Sequence, residues 1–335
     1  MAVRIAINGF GRIGKSFLRA LLSDPQASKQ IDILAINTGP NAHHTAHLFA
    51  HDSIMGPFAG TVEEKDNALI INDKRIMLFS QTEPEKLPWG DLKIDWVIDA
   101  SGCFTSKEDA MRHCAAGCKK VIITAPAKNP DVTIVPGIND NAYNASSHTI
   151  VSMGSCTTNC FAPIIKVLQE TCGIISGSMS TTHAYTADQR LLDGTHKDPR
   201  RARSAPTNMV PTSTGASKVI ATIFPELEGK LCASALRVPV PNVSFLEFVF
   251  IAQKPIPADA LNNVFIQASQ TYLKNILAVE QAPLVSSDFM GNTHSCIIDS
   301  ALTTTVGTMA KVSAWYDNEY GYSCRLKDFL QKHGD

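Results

Sequence analysis

The chain has 335 residues, more than one ordinary core holds and comfortable for two domains. A hydrophobic fraction of 44%, a charged fraction of 18% and a formal net charge of −1 are those of a globular protein. They give no electrostatic reason to expect specific nucleic acid or a membrane as partner. Nine cysteines, in a chain whose opening MAVRIAINGFGR lacks an apolar export core, point to reduced thiols in a cytoplasmic setting.

Short runs rich in Val and Ile at 3–8, 31–37, 96–100, 121–124 and 132–136 are expected strands. Residues 15–22 and 107–116 between them carry apolar residues at helical spacing. Such alternation predicts a parallel sheet with crossover helices. Runs at 60–62, 69–71 and 75–79 read as a small antiparallel excursion. Beyond about residue 150, the segments 178–183, 233–237, 243–251 and 308–315 are longer and alternating, as antiparallel strands with one wet face are. Residues 258–273 are expected to form a helix covering them. The organisation is α/β followed by α+β.

Residues 9–14 read Gly9-Phe10-Gly11-Arg12-Ile13-Gly14, directly after the first strand and before a helix. In this context Gly9 permits the tight turn, Gly11 lets the backbone approach a pyrophosphate, and Gly14 lets helix and strand pack closely. The free N–H groups at the helix start suit the phosphates, so a dinucleotide cofactor is expected. The second strand ends Ile36-Asn37-Thr38-Gly39-Pro40, where a carboxylate for the adenosine ribose would stand. Its absence removes a charge that repels the 2′-phosphate of NADP. Alternatively Thr38 bonds the ribose hydroxyl and NAD is still used.

Cys156 follows a short strand and a Gly-Ser turn and precedes an apolar, helix-like stretch at 161–168. A cysteine near a helix N-terminus has its thiolate stabilised by the dipole, although Pro163 blurs where this helix starts. Cys156 and Cys160 have metal-like spacing, but no second pair completes a tetrahedral set, and no metal is expected. Cys103, Cys114, Cys118, Cys172, Cys232, Cys296 and Cys324 read as inert thiols. His183 closes an expected strand; by itself such a histidine is more often structural than catalytic.

The stretches NGFGRIG, SMGSCTTNC, STTHAYTADQRLLDG, RRARSAPTNMVPTSTGASK, ELEGKL, ALRVPVPNVS and WYDNEYGYS resemble, in order and spacing over essentially the whole chain, phosphorylating glyceraldehyde-3-phosphate dehydrogenase. The resemblance implies an α/β fold, with a Rossmann-type dinucleotide-binding domain over 1–154 to which a C-terminal helix at 316–335 returns. It implies an α+β catalytic domain over 155–315 with a mainly antiparallel sheet. It also implies a homotetramer acting reversibly, in glycolysis and gluconeogenesis, on glyceraldehyde 3-phosphate and inorganic phosphate with NAD, NADP or both.

By the same resemblance Cys156 is the nucleophile and His183 its base, passing through a hemithioacetal and a thioester. Thr186 and Arg237 hold the substrate phosphate, and Ser155, Thr157, Arg201, Thr214 and Gly215 the attacking phosphate. Gly9, Gly11, Arg12, Ile13, Gly14, Thr38, Thr124 and Asn318 bind the cofactor, Asn318 at the nicotinamide carboxamide. Gly194 and Thr195 join them from a loop that reaches the neighbouring subunit. They stand where NAD-specific members carry Leu-Pro, and small or hydroxylated residues there accompany NADP use. Erythrose-4-phosphate dehydrogenase is the near rival, but 183–186 and 212–215 match the triose-phosphate enzyme better. A non-redox cysteine acyltransferase is the distant rival, and the complete glycine motif argues against it.

Overall fold

The computed structural model describes residues 2–334, which form two compact units. One consists of the chain up to Ile134, Asn139–Gly154 and the chain from Ser323; the other of Val135–Ile138 and Ser155–Tyr322.

The first unit is built on a nine-stranded sheet. Its parallel part runs Lys74–Phe79, Ile31–Asn37, Val3–Asn8, Trp96–Asp99, Lys120–Ile123, Ile150–Ser152 and Val132–Thr133. Ile5, Ala6 and Ile7 are all fully buried, as befits a strand covered on both faces. The excursion Val62–Lys65, Ala68–Ile71, Lys74–Phe79 is antiparallel and extends one edge.

The short strand read before Cys156 is Ile150–Ser152, only three residues long, whereas helices Ala27–Gln30 and Ala42–Ala50 carry no sequence expectation. Helix Ala42–Ala50 is rich in histidine and buries only Ala46 and Phe49, so its periodicity is faint, while the Asn41 side chain caps it by accepting from His44 N at 2.9 Å. The strand expected to reach residue 136 stops at Thr133, because Val135–Ile138 belongs to the other unit.

The second unit carries an eight-stranded sheet ordered Val210–Thr212, Leu231–Val238, Ile174–Ala184, Ser244–Ala252, Met309–Tyr316, Cys296–Asp299 and Leu277–Glu280, with Thr304–Val306 beside Met309–Tyr316. Most pairs are antiparallel. Two are not: Ile174–Ala184 pairs in parallel with Leu231–Val238, and Leu277–Glu280 with Cys296–Asp299. Alternation of side chains reports a half-buried strand but not its direction. The long connection needed for the first parallel pair contains helix Ala216–Ile223, which periodicity did not announce.

Helices Cys156–Thr171, Ala216–Ile223 and Ala258–Gln270 bury Phe161, Ile165, Ile220 and Phe265 in one core with Met179, Phe248 and Phe250 of the sheet. The helix expected over 316–335 spans Tyr320–His333 instead. Tyr316 ends a strand, and Asp317 Oδ1 accepts from the N–H groups of Glu319 and Tyr320, which sets the later start. Among the described residues no helix is long and apolar enough to cross a membrane.

Candidate active site

In the first unit helix Arg12–Leu22 starts immediately after Gly11, with no side chain capping its first N–H groups. Gly9 has φ +92°, and a Cβ there would meet Ser101 N at 2.5 Å. A Cβ on Gly14 would lie 2.3 Å from the Gly9 carbonyl oxygen. Gly11 differs: a Cβ there meets nothing within 4 Å. Two glycines of the motif are demanded by the protein itself, and the third guards open space at a helix N-terminus that no side chain caps. That space and those donors fit a pyrophosphate.

Several other side chains expected at the cofactor have partners within the protein. Arg12 donates to Asp52 at 2.5 Å. Burial works against the Asp52 carboxylate, but Arg12 and the N–H groups of Met55 and Ile54 hold its pKa down at about 2. Ile13 is partly buried in the helix. Thr124 spends its hydroxyl on the Asp99 carbonyl at 2.9 Å. Thr38 lines an open pocket of about 250 Å³ with Phe10, Lys15, Asn41, His44 and neighbouring residues; no carboxylate lines it, and two basic side chains do.

In the second unit Ser155 caps helix Cys156–Thr171, its Oγ accepting from Thr158 N at 3.1 Å, so Cys156 is the first helical residue. Pro163 lies well inside this helix, seven residues after Cys156, and interrupts nothing at the N-terminus. His183 sits near the end of Ile174–Ala184 with Nε2 3.5 Å from Cys156 Sγ. Its Nδ1 faces the Ala184 carbonyl at 2.7 Å and Arg237 Nη1 at 2.8 Å. Arg237 arrives there because His183 and Arg237 are register partners in the parallel pair of strands.

Burial and the Arg237 charge press the His183 pKa down to about 3. Burial also pushes the Cys156 thiol up, against the lowering pull of Arg237 and of the Thr157 N–H. At Cys156 burial and the donors at the helix start thus act in opposite directions on the thiol.

The matching family models cover this ground: one described as the glyceraldehyde 3-phosphate dehydrogenase NAD binding domain matches residues 3–107, and one described as the C-terminal domain of that enzyme matches 155–318. A "Glyceraldehyde-3-phosphate dehydrogenase 2" of Trichormus variabilis is 48% identical over 331 residues, 98% of each chain. The glyceraldehyde-3-phosphate dehydrogenase of Geobacillus stearothermophilus is 47% identical over 329 residues, 98% of this chain and 97% of its own. This chain belongs to the glyceraldehyde-3-phosphate dehydrogenase family. It is an NAD(P)-using oxidoreductase of glycolysis, and neither rival activity is favoured.

Against that family background the remaining predicted residues fall in two groups. Arg237 and Ser155 flank the Cys156–His183 pair directly. Asn318, buried, has its Oδ1 engaged by Ser244 Oγ at 2.9 Å, so what it offers a ligand is its amide NH₂; Ser244 Oγ in turn accepts from Ala184 N. Thr157 follows Cys156 in the first turn of the helix. Its buried hydroxyl meets Tyr316 Oη at 3.0 Å, and Tyr316 Oη also meets Thr181 Oγ1 at 2.8 Å. The Tyr316 hydroxyl thus links the residue after Cys156 to the strand that carries His183.

Tyr316 is the residue that sequence reasoning missed: it stands in the WYDNE stretch, two places before Asn318, with its ring edge-on to His183 at 5.9 Å. The second group lies on or beside the loop between Ala184 and Val210. Arg201 pairs with Asp188 at 2.7 Å and reaches the Ser213 carbonyl at 3.4 Å, which ties the loop to Thr214 and Gly215 at the start of helix Ala216–Ile223. Thr186 Oγ has no role in that tie; its carbonyl accepts from Gln189 N. Gly194 and Thr195 are exposed, their main chains fastened to Ala202 and Arg190, and Asp193 pairs with Arg203 at 2.8 Å.

Proposed function

We propose that this chain converts glyceraldehyde 3-phosphate and inorganic phosphate to 1,3-bisphosphoglycerate, with Cys156 as nucleophile and His183 as its base. The observation that carries this is the 3.5 Å approach of His183 Nε2 to the sulfur of the first residue of a capped helix. Cys156 Sγ adds to the aldehyde carbon, giving a hemithioacetal whose oxygen lies within reach of main-chain N–H groups at the helix start. His183 takes the hydroxyl proton of that adduct. The nicotinamide, when bound, supplies the hydride acceptor. Phosphate then attacks the thioester and Cys156 leaves as thiolate.

Gly9, Gly11 and Gly14 shape the pyrophosphate seat in this reading, and Arg237 with Thr186 takes the substrate phosphate. Arg201, Ser155, Thr214 and Gly215 take the attacking one, which requires Arg201 to share its charge with Asp188. Thr157 joins the residues on the attacking phosphate, its hydroxyl positioned by Tyr316 Oη at 3.0 Å. We assign the cofactor as NADP or both nucleotides, supported by the carboxylate-free pocket that Lys15, Thr38 and His44 line. The reaction also runs toward gluconeogenesis, in the cytoplasm.

A homotetramer is supported by the loop 185–209. It staples itself through Asp193–Arg203 yet leaves Leu191 and Leu192 about three-quarters exposed, at 73% and 76%. Replacing Cys156 by Ser is expected to abolish aldehyde-dependent NAD(P)H formation, followed by absorbance, while nucleotide binding measured by calorimetry persists. A Cys156→Ser protein that still reduces nucleotide at the wild-type rate would overturn the assignment.

A further inference from the structure

Cys114 and Cys118, expected from the sequence to be inert, are brought together in the first unit. Helix Lys107–Ala115 ends in a turn that folds the chain back beside its last residues. Gly117, at φ +102°, takes the left-handed conformation that side chains rarely adopt, and its N–H donates to the Cys114 carbonyl at 2.9 Å. The turn is also pinned from outside. Gly90 N donates to the Ala116 carbonyl at 2.9 Å, and a Cβ on Gly117 would lie 2.5 Å from Gly90 Cα. The Cys118 N–H returns to the His113 carbonyl at 3.4 Å. Cys118 is thereby fixed next to Cys114, its S–H donating to the Cys114 sulfur at 3.9 Å.

The two thiols differ in access: Cys114 is partly exposed, whereas Cys118 is buried. They differ in acidity as well. The S–H donated by Cys118 lowers the pKa of Cys114, against burial and the Asp131 carboxylate. The same hydrogen bond, together with burial, pushes the Cys118 thiol up. An accessible thiol that ionises first, with a second sulfur in contact, is the arrangement of an attacking and a resolving cysteine. Capping Cys114 lifts the larger restraint on Cys118, because a sulfur in a disulfide no longer holds that proton as a thiolate does. Cys160 also meets Cys296, but both are fully buried and out of reach of an oxidant.

We propose that Cys114 and Cys118 form a dithiol site that small-molecule disulfides of the glutathione class oxidise to an internal disulfide. The Cys114 thiolate attacks one sulfur of the oxidant, breaking its S–S bond and expelling one thiolate, which takes up a proton. Cys118 gives its proton to water, attacks the Cys114 sulfur of the mixed disulfide and expels the second small thiolate, which is protonated in turn. Two protein thiols lose two electrons and two protons in all, and the oxidant becomes two thiols. Closing the contact from 3.9 Å to the roughly 2.0 Å of a sulfur–sulfur bond asks for less than about 2 Å of movement, on the scale of a side-chain rotation at the partly exposed Cys114. The site stands apart from Cys156, which belongs to the other unit, and does not depend on the role given to that residue.

The test incubates the full-length protein with a large excess of oxidised glutathione at neutral pH, then denatures it, blocks remaining thiols with N-ethylmaleimide and digests it with trypsin. Cleavage after Arg112 and Lys119 releases residues 113–119, which carry both cysteines in one peptide. Mass spectrometry is expected to find that peptide mainly without glutathione and without maleimide, lighter by the two hydrogens lost. Treatment with dithiothreitol before blocking is expected to restore both maleimide labels. Exposed Cys103, whose sulfur faces the Ser101 carbonyl at 3.8 Å, is expected to keep a glutathione adduct in the same sample. In Cys118→Ala the mixed disulfide has no resolving sulfur, so Cys114 is expected to keep its glutathione too. A wild-type peptide carrying two maleimides, or one retaining glutathione on Cys114, overturns the proposal. Should Cys118→Ala not fold, the wild-type mass decides alone.

Discussion

Gly11 and Gly14 belong to the same motif but answer to different constraints, and alanine separates them. At Gly11 the backbone has φ −78°, accessible to any residue, and a Cβ meets nothing within 4 Å. Glycine is the better N-cap, by roughly 0.5–1 kcal/mol over alanine. Alanine recovers about 0.4–1 kcal/mol by restricting the unfolded chain. These terms nearly cancel, so Gly11→Ala should leave the denaturation midpoint almost unchanged. The methyl occupies the space over the helix N-terminus, so nucleotide affinity should fall by about 100-fold or more, roughly 2.7 kcal/mol of lost phosphate contact.

At Gly14 the added carbon would sit 2.3 Å from a backbone oxygen, which cannot swing aside like a side chain. Gly14→Ala should destabilise the first unit by about 3 kcal/mol, in line with backbone-displacing overpacking. Urea titration and isothermal calorimetry on both variants make the comparison. A Gly11→Ala protein that binds NAD and NADP as tightly as wild type would refute the argument that the open space is the pyrophosphate seat.

Asp52→Asn should lower stability at neutral pH by about 2 kcal/mol, the worth of a carboxyl pKa held from 3.8 down to about 2. Because a depressed folded pKa stabilises only above the unfolded value, the gap between variant and wild type should close as pH falls from about 4 to about 2. A gap independent of pH in denaturation experiments counts against it. Tyr316→Phe removes a buried hydroxyl between Thr157 and Thr181 and should cost about 1–2 kcal/mol while slowing alkylation of Cys156; an unaltered melting temperature and alkylation rate contradict the bracing role. Thr38→Asp should depress catalytic efficiency with NADP by about ten-fold, near 1.4 kcal/mol of new repulsion, and change NAD use little. Steady-state kinetics with both nucleotides decide, and equal loss for the two would mean that the pocket does not sense the 2′-phosphate.

Local chemistry made much of the protein legible before any coordinates. The glycine turn was readable because strand, turn and helix are contiguous in sequence, and continuous Val and Ile runs follow directly from burial on both faces of a parallel sheet. Cys156 and His183 were singled out by family resemblance and not by spacing, since 27 residues separate them and nothing local joins them. Helix Ala42–Ala50 escaped because its buried positions are too few to print a period. The start of the last helix was misplaced because Asp317, three residues before Tyr320, supplies the cap through its side chain.

Only the tertiary structure placed Arg237 against His183. Alternation along 174–184 and 231–238 is the same whether the strands pair parallel or antiparallel, because side chains alternate with period two in either case. The parallel choice is made by the crossover through helix Ala216–Ile223, and with it the register that sets His183 opposite Arg237. Likewise Tyr316 is an ordinary strand aromatic in the sequence. Packing alone brings its hydroxyl beneath the first turn of the cysteine helix, where a buried polar group must find partners and finds Thr157 and Thr181. The sequence by itself determined the kinds of element and the chemical groups available, since both follow from local composition. Which groups face one another was decided by long-range pairing, which no local pattern encodes.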